Sequence, residues 1–127
     1  METILLVEDS KFLRVATERI LTRAGYQVIC AGDGDEALAL AGSMLPDLIV
    51  LDMLLPKLSG PEVLRSLKKN DLTAHIPVVV LSSLSQNNGP KLVQEGADAF
   101  IEKASLLADP GRLLAAVMAA LTRIAVP

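Results

Sequence analysis

The stretch from Pro46 to Pro56 constrains this chain more than any other. Leu48-Ile49-Val50-Leu51 is a short, unbroken apolar run with a turn-forming proline before and after it. A strand with one wet face alternates apolar and polar residues. A strand buried on both faces reads as a continuous apolar run, as in a parallel sheet covered by helices. Asp52 follows at once, where such a strand leaves the sheet. In open α/β sheets, ligands bind and chemistry is done at the carboxyl ends of the strands. Aspartate is also a common turn residue, so the weight of Asp52 depends on what ends the other strands.

Four further runs have the same character. Thr3 to Val7 predicts a first buried strand, ending in Glu8-Asp9-Ser10. Asp9 or Ser10 caps a helix starting near Lys11, with Phe12, Leu13, Ala16 and Ile20 at helical spacing and Gly25 as its left-handed stop. Tyr26 to Cys30 predicts the second strand. Asp33 or Asp35 opens a second helix reaching about Met44. After the strand that carries Asp52, Ser59-Gly60-Pro61-Glu62 reads as a helix start, with Val63, Leu64 and Leu67 inward. Ile76 to Leu81 predicts the fourth strand, ending in Ser82-Ser83. Asn87-Asn88-Gly89-Pro90 predicts a longer loop and a short fourth helix from about Pro90 to Glu95. Ala99-Phe100-Ile101 is the fifth strand, ending in Glu102-Lys103, and Asp109-Pro110 starts a final helix running to about Ile124. Alternation of strand and helix, with connections too long for hairpins, implies right-handed βαβ units and a doubly wound α/β sheet.

Composition removes several classes of function. The 127 residues suffice for one domain with one core. Mean hydropathy is high, at +0.45, yet no apolar run approaches the roughly 18 residues of a membrane span. A sheet covered on both faces accounts for it better. The start of the chain reads directly into a strand, without a leader, so the expected location is cytoplasmic. A net charge of −3, with scattered Lys and Arg, argues against a nucleic-acid surface. The single cysteine, Cys30, reads as a small buried hydrophobe, and the single histidine, His75, as a surface residue. Together they cannot form a disulfide or a structural zinc site.

Set side by side, the strand ends carry Glu8 and Asp9, then Asp52, Ser82 and Lys103. A doubly wound sheet brings these to one edge. Three carboxylates gathered there repel one another unless a cation is present. A hard divalent ion such as Mg²⁺ suits them, because it takes oxygen ligands and keeps positions for water and a phosphate oxygen. Lys103 adds a point charge on a flexible stem and Ser82 a hydroxyl. The set suits a phosphoryl group attached to, or passing over, Asp52.

Val7-Glu8-Asp9-Ser10, Gly25-Tyr26, Gly32-Asp33-Gly34-Asp35-Glu36-Ala37-Leu38, Pro46 to Asp52, Pro56 with Gly60, Ile76-Pro77-Val78, Gly96-Ala97 and Lys103 occur in this order and spacing. In them the chain resembles the receiver domain of bacterial two-component response regulators, over essentially residues 1–127. The resemblance implies a flavodoxin-like fold: a five-stranded parallel sheet of order 2-1-3-4-5, with five helices. It implies that Asp52 is the phosphoacceptor, taking phosphate from a sensor histidine kinase or a histidine phosphotransfer protein. Mg²⁺ would be bound by Asp9, Asp52 and the Met53 backbone carbonyl, with Glu8 assisting through water. Lys103 would pair with the acceptor and its phosphate. Ser82 and Phe100 would form the switch toward a downstream protein target. The fourth helix, fifth strand and fifth helix would form the output or homodimer face.

Five positions depart from the commonest family pattern. Ala104 stands where a proline usually follows the lysine, and Ser82 where threonine is commoner. Phe100 lacks a tyrosine hydroxyl, which excludes a switch built on that group. Leu54 and Leu84 are apolar where many members are polar. No output domain is read after the final helix, so a single-domain regulator is expected rather than an enzyme. An aspartate-nucleophile phosphatase of haloacid-dehalogenase type would want Asp-x-Asp, and Leu54 occupies the second position. A flavin-binding module would want a phosphate loop after the first strand, where Glu8-Asp9 would repel it. In the final helix, Leu113, Leu114, Val117, Leu121 and Ile124 should face the sheet. Arg112, Ala115, Ala116, Ala119, Ala120, Thr122 and Arg123 should face away.

Overall fold

The computed structural model describes residues 1–82 and 95–125. Five strands, β1 (Thr3–Val7), β2 (Gln27–Ala31), β3 (Leu48–Asp52), β4 (Val78–Ser82) and β5 (Ala99–Glu102), form one parallel sheet in the order β2-β1-β3-β4-β5. The described helices are α1 (Lys11–Arg23), α2 (Gly34–Met44), α3 (Gly60–Lys69), a single turn α4 (Ser105–Ala108), and α5 (Pro110–Ala125). This is the flavodoxin-like doubly wound fold. The foreseen helix from Pro90 to Glu95 lies almost wholly outside the described residues, as do Ser83 and Leu84.

Strand pleating sorts side chains between two cores. Leu5, Val7, Ile49, Leu51, Val78 and Val80 point to one face, under α2 and α3. Ile4, Leu6, Leu48, Val50, Val79 and Leu81 point to the other, under α1 and α5. Every residue of β3 is buried, so its apolar run carries no alternation.

Of the caps the sequence offered, the structure uses Ser10 rather than Asp9 and Asp33 rather than Asp35. Ser10 accepts the Leu13 amide, Asp33 the Glu36 amide at 2.8 Å, and Ser59 the Glu62 amide. Each such cap stabilises its helix by about 1 kcal/mol. Gly25 ends α1 with φ +100°, and His75 is exposed.

Several expectations are corrected. Phe12 is 69% exposed, whereas Thr17 and Leu21 are the buried residues of α1. Adjacent helical residues are about 100° apart, so the stripe through Leu13, Thr17 and Leu21 turns Phe12 outward. Ala120 is buried with Leu113 and Val117 on the core side of α5, while Leu114 and Leu121 are half-buried. The side chains of Arg123 and Ile124 lie outside the described residues. Cys30 is half-buried rather than enclosed. β2 starts and ends one residue later than foreseen, and β4 begins only after Pro77. Proline has no amide hydrogen for the ladder, although the Pro77 carbonyl accepts the Ile49 amide at 2.9 Å. α4 was not foreseen: four residues leave too short a pattern to read.

Candidate functional site

Register delivers the site. Val7 pairs with Leu51 and Asp52 with Leu81, so the chain emerges from β1, β3 and β4 at one level. Glu8 and Asp52 are fully buried there, and Asp9 is exposed at the mouth. Carboxylate oxygens of the three lie within 4.8 Å of one another. Lys103, just beyond β5, places Nζ 2.7 Å from Asp52 Oδ2 and 3.5 Å from Glu8 Oε1. Its own amide is anchored on the Ser82 carbonyl at 2.9 Å.

The other contacts are just as local. Asp52 Oδ1 accepts the Leu54 amide at 3.1 Å. Glu8 Oε2 accepts the Ser10 amide at 3.1 Å, and the Glu8 carbonyl accepts Arg14 Nη1 at 3.0 Å. The 3.5 Å approach of Lys103 to Glu8 Oε1 is an ion pair without hydrogen-bond alignment, which leaves that buried oxygen lacking a hydrogen-bond partner. Such an atom costs about 1–3 kcal/mol in desolvation. Gly60 closes the loop: a Cβ there would fall 2.4 Å from Met53 Cα and 2.5 Å from the Asp52 carbonyl oxygen. Its amide donates to the Met53 carbonyl at 3.2 Å. A carbonyl has two lone pairs, so the Met53 oxygen retains acceptor capacity.

The electrostatics are unbalanced. Fully ionised, three carboxylates and one ammonium carry −2. Two like charges 4 Å apart repel by roughly 4 kcal/mol at an effective dielectric of 20. Burial, followed by the neighbouring Asp52, raises the Glu8 pKa to about 7. For Lys103, burial favours the neutral amine, but the hydrogen bond and charge of Asp52, with Glu8, outweigh it and raise its pKa. The donor set is oxygen only, net negative, and includes a buried oxygen without a hydrogen-bond partner. It therefore fits a hard divalent cation.

The structure thus brings together Glu8, Asp9, Asp52 and Lys103. Met53 sits at the same strand end, and buried Ser82 is at the tip of β4. Phe100 is half-buried against the α2–α3 core, opposite Val80. Sequence reasoning passed over Arg14 and the close approach at Gly60. A glycine at the start of a helix, eight residues past a strand-end acid, was the available signal for the second.

The family model for the response regulator receiver domain matches residues 4–118. The chain belongs to that family. It is a receiver domain of two-component response regulators, a phosphorylation-based signalling module. It is 41% identical over 101 residues to the alkaline phosphatase synthesis transcriptional regulatory protein PhoP of Bacillus subtilis, covering 79% of this chain and 41% of that protein. It is 33% identical over 103 residues to the polar-differentiation response regulator DivK of Brucella anthropi, covering 80% of this chain and 84% of that one. The CheY-like receiver domain protein of Methanospirillum hungatei superposes with a TM-score of 0.87 at 28% identity, covering 98% and 96% of the two chains. The chain spans less than half the length of the first curated relatives it matches. Nothing in these matches supports a haloacid-dehalogenase relationship.

Proposed function

We propose that residues 1–127 form one receiver domain that accepts a phosphoryl group on Asp52 from a histidine kinase or histidine phosphotransfer protein. The observation that carries this is a fully buried carboxylate held by Lys103 Nζ at 2.7 Å, with Glu8 and Asp9 oxygens within 4.8 Å. Asp9, Asp52 and the Met53 carbonyl would hold Mg²⁺, with Glu8 acting through water. When bound, the ion would neutralise the carboxylates and the phosphoryl oxygens. An Asp52 oxygen bonds to phosphorus as the donor's P–N bond breaks, and the electron pair leaves on the imidazole nitrogen. Lys103 moves from a carboxylate partner to a phosphoryl-oxygen partner within the reach of its stem. The Ser82 hydroxyl donates to another phosphoryl oxygen, and Phe100 follows it inward.

The donor seats beside the mouth. Lys11, Phe12, Val15, Ala16 and Arg19 line a groove of about 420 Å³ on α1, directly after the turn that carries Asp9. An aromatic ring left 69% exposed there suits a protein partner. The output face is that of β5 and α5, through which a downstream target or a second copy binds. No described helix is long and apolar enough to cross a membrane, and we assign the domain to the cytoplasm, with its kinase's phosphodonor. The module is a phosphoacceptor, not an enzyme acting on a separate substrate.

Acetyl phosphate with Mg²⁺ should label the protein with an acid- and base-labile phosphoryl group, and Asp52→Asn should abolish the label. Equal labelling of both proteins overturns the assignment.

A further inference from the structure

Arg14, one turn into α1, reaches back to the turn that carries the acids. Its Nη1 donates to the Glu8 carbonyl at 3.0 Å. Glu8 is the pivot of that arm, since its amide is bound to the Ala31 carbonyl at 3.0 Å and its carboxylate to the Ser10 amide. Asp9 comes next in the chain and is the one exposed carboxylate of the cluster. The backbone Arg14 N–H also donates to the Ser10 carbonyl at 2.8 Å. Arg14 therefore clamps the Glu8–Ser10 turn from both ends.

Attraction to the cluster does not explain this placement. A guanidinium next to a divalent-cation site opposes the cation. Arg14 instead sits toward β2 and the loop after it, with Nη1 3.8 Å from where a Cβ on Gly32 would lie and Glu36 Oε1 3.9 Å from the same point. Glu36 Oε1 itself accepts the Gly32 amide at 2.7 Å, which ties the loop after β2 beside the arginine. A half-buried planar fork bonded to the backbone of the cluster, not to its carboxylates, is placed to orient rather than to bind.

We propose that Arg14 is a positioning residue. By fixing the Glu8 carbonyl, it holds the Glu8 and Asp9 carboxylates convergent with Asp52, so the cation pays no ordering cost on entering. This rests on the Mg²⁺ reading above. Charge and positioning make opposite predictions. Removing a nearby cation alone should tighten Mg²⁺ binding, whereas losing the clamp should weaken it.

The test is calorimetric Mg²⁺ titration of wild type, Arg14→Met and Arg14→Lys, with thermal unfolding of each in chelator. Arg14→Met should weaken Mg²⁺ roughly tenfold, the lower end of what outer partners of metal ligands usually contribute. Arg14→Lys should recover part of that, because an ammonium can reach a carbonyl but without the rigid fork. Both variants should unfold cooperatively, with the Mg²⁺ loss exceeding anything the folded fraction explains. Unchanged or tighter Mg²⁺ binding by folded Arg14→Met overturns the proposal and leaves the metal reading standing. Equal loss in both variants that follows the unfolded fraction overturns it as well, as a purely structural effect. A wild type that binds no Mg²⁺ overturns both.

Discussion

Both edges of the sheet carry acids, and they are treated in opposite ways. At the amino edge, Asp47 Oδ2 accepts the Thr3 amide at 2.7 Å and Asp98 Oδ2 the Val78 amide at 2.9 Å. Lys68, at the end of α3, donates to the Ala74 and Ile76 carbonyls at 3.2 and 2.9 Å. Each charge there closes a backbone group that the strand ladder leaves open. At the carboxyl edge, Glu8, Asp9 and Asp52 face one another. One lysine serves two of them, and Glu8 Oε1 has no hydrogen-bond partner. Acids bonded to backbone amides stabilise strand starts. Acids crowded against acids destabilise the fold and make a set of oxygens that could hold a cation. The same residue type thus reads as scaffold or as chemistry according to its partners.

The sharpest way to break this contrast is to exchange the two treatments. Asp52→Asn should remove all labelling, whereas Asp98→Ala should leave labelling intact. If Asp98→Ala also abolished phosphorylation in the folded protein, the two edges would not be functionally separate.

Next in size is the response to pH. The Glu8 pKa, near 7 in the folded protein, lies above the ordinary 4.5. The folded state therefore keeps a proton that the unfolded chain releases. Its contribution is fully present below pH 4.5 and is lost as pH climbs through about 7, a fall of at most roughly 3 kcal/mol. Urea unfolding in chelator across pH 4.5–8 should show that decline, Glu8→Gln should flatten it, and Mg²⁺ at pH 8 should reverse it. A wild-type profile as flat as that of the variant would contradict the crowding.

Asp98→Ala should itself lower stability by about 1–2 kcal/mol, since it strips the Val78 amide of its partner at the start of β4. A denaturant midpoint unchanged from wild type would show that the amino-edge acid is not structural.

The smallest effect concerns Leu54, which is 57% exposed and donates its amide to Asp52. Its side chain cannot hydrogen-bond a water attacking phosphorus. Leu54→Asn should speed loss of the label, and a hydrogen bond of about 1 kcal/mol in the transition state corresponds to roughly fivefold. An equal or slower rate counts against it. Leu84, expected to act similarly, lies outside the described residues.

Sequence alone determined what is local. The apolar run of β3, the helix starts near Lys11, Asp33 and Ser59, and the αL glycine after α1 are each set within a few residues by sterics and hydrogen bonding, while the choice of Ser10 over Asp9 and of Asp33 over Asp35 as caps came from the folded chain. The order of the strand ends followed, and with it the identity of Asp52, Lys103, Glu8 and Asp9 as neighbours. Tertiary structure decided what depends on distant parts of the chain. Asp52 and Lys103 are separated by 51 positions, and only the register of β3, β4 and β5 brings Nζ to 2.7 Å. Burial of Glu8 beside exposure of Asp9 depends on which elements cover the end of β1. Phe12 faces solvent and Ala120 faces the core because rotation of a helix about its axis is fixed by what it packs against. A spacing of apolar residues specifies a stripe, but where two stripes compete only the opposing surface selects one.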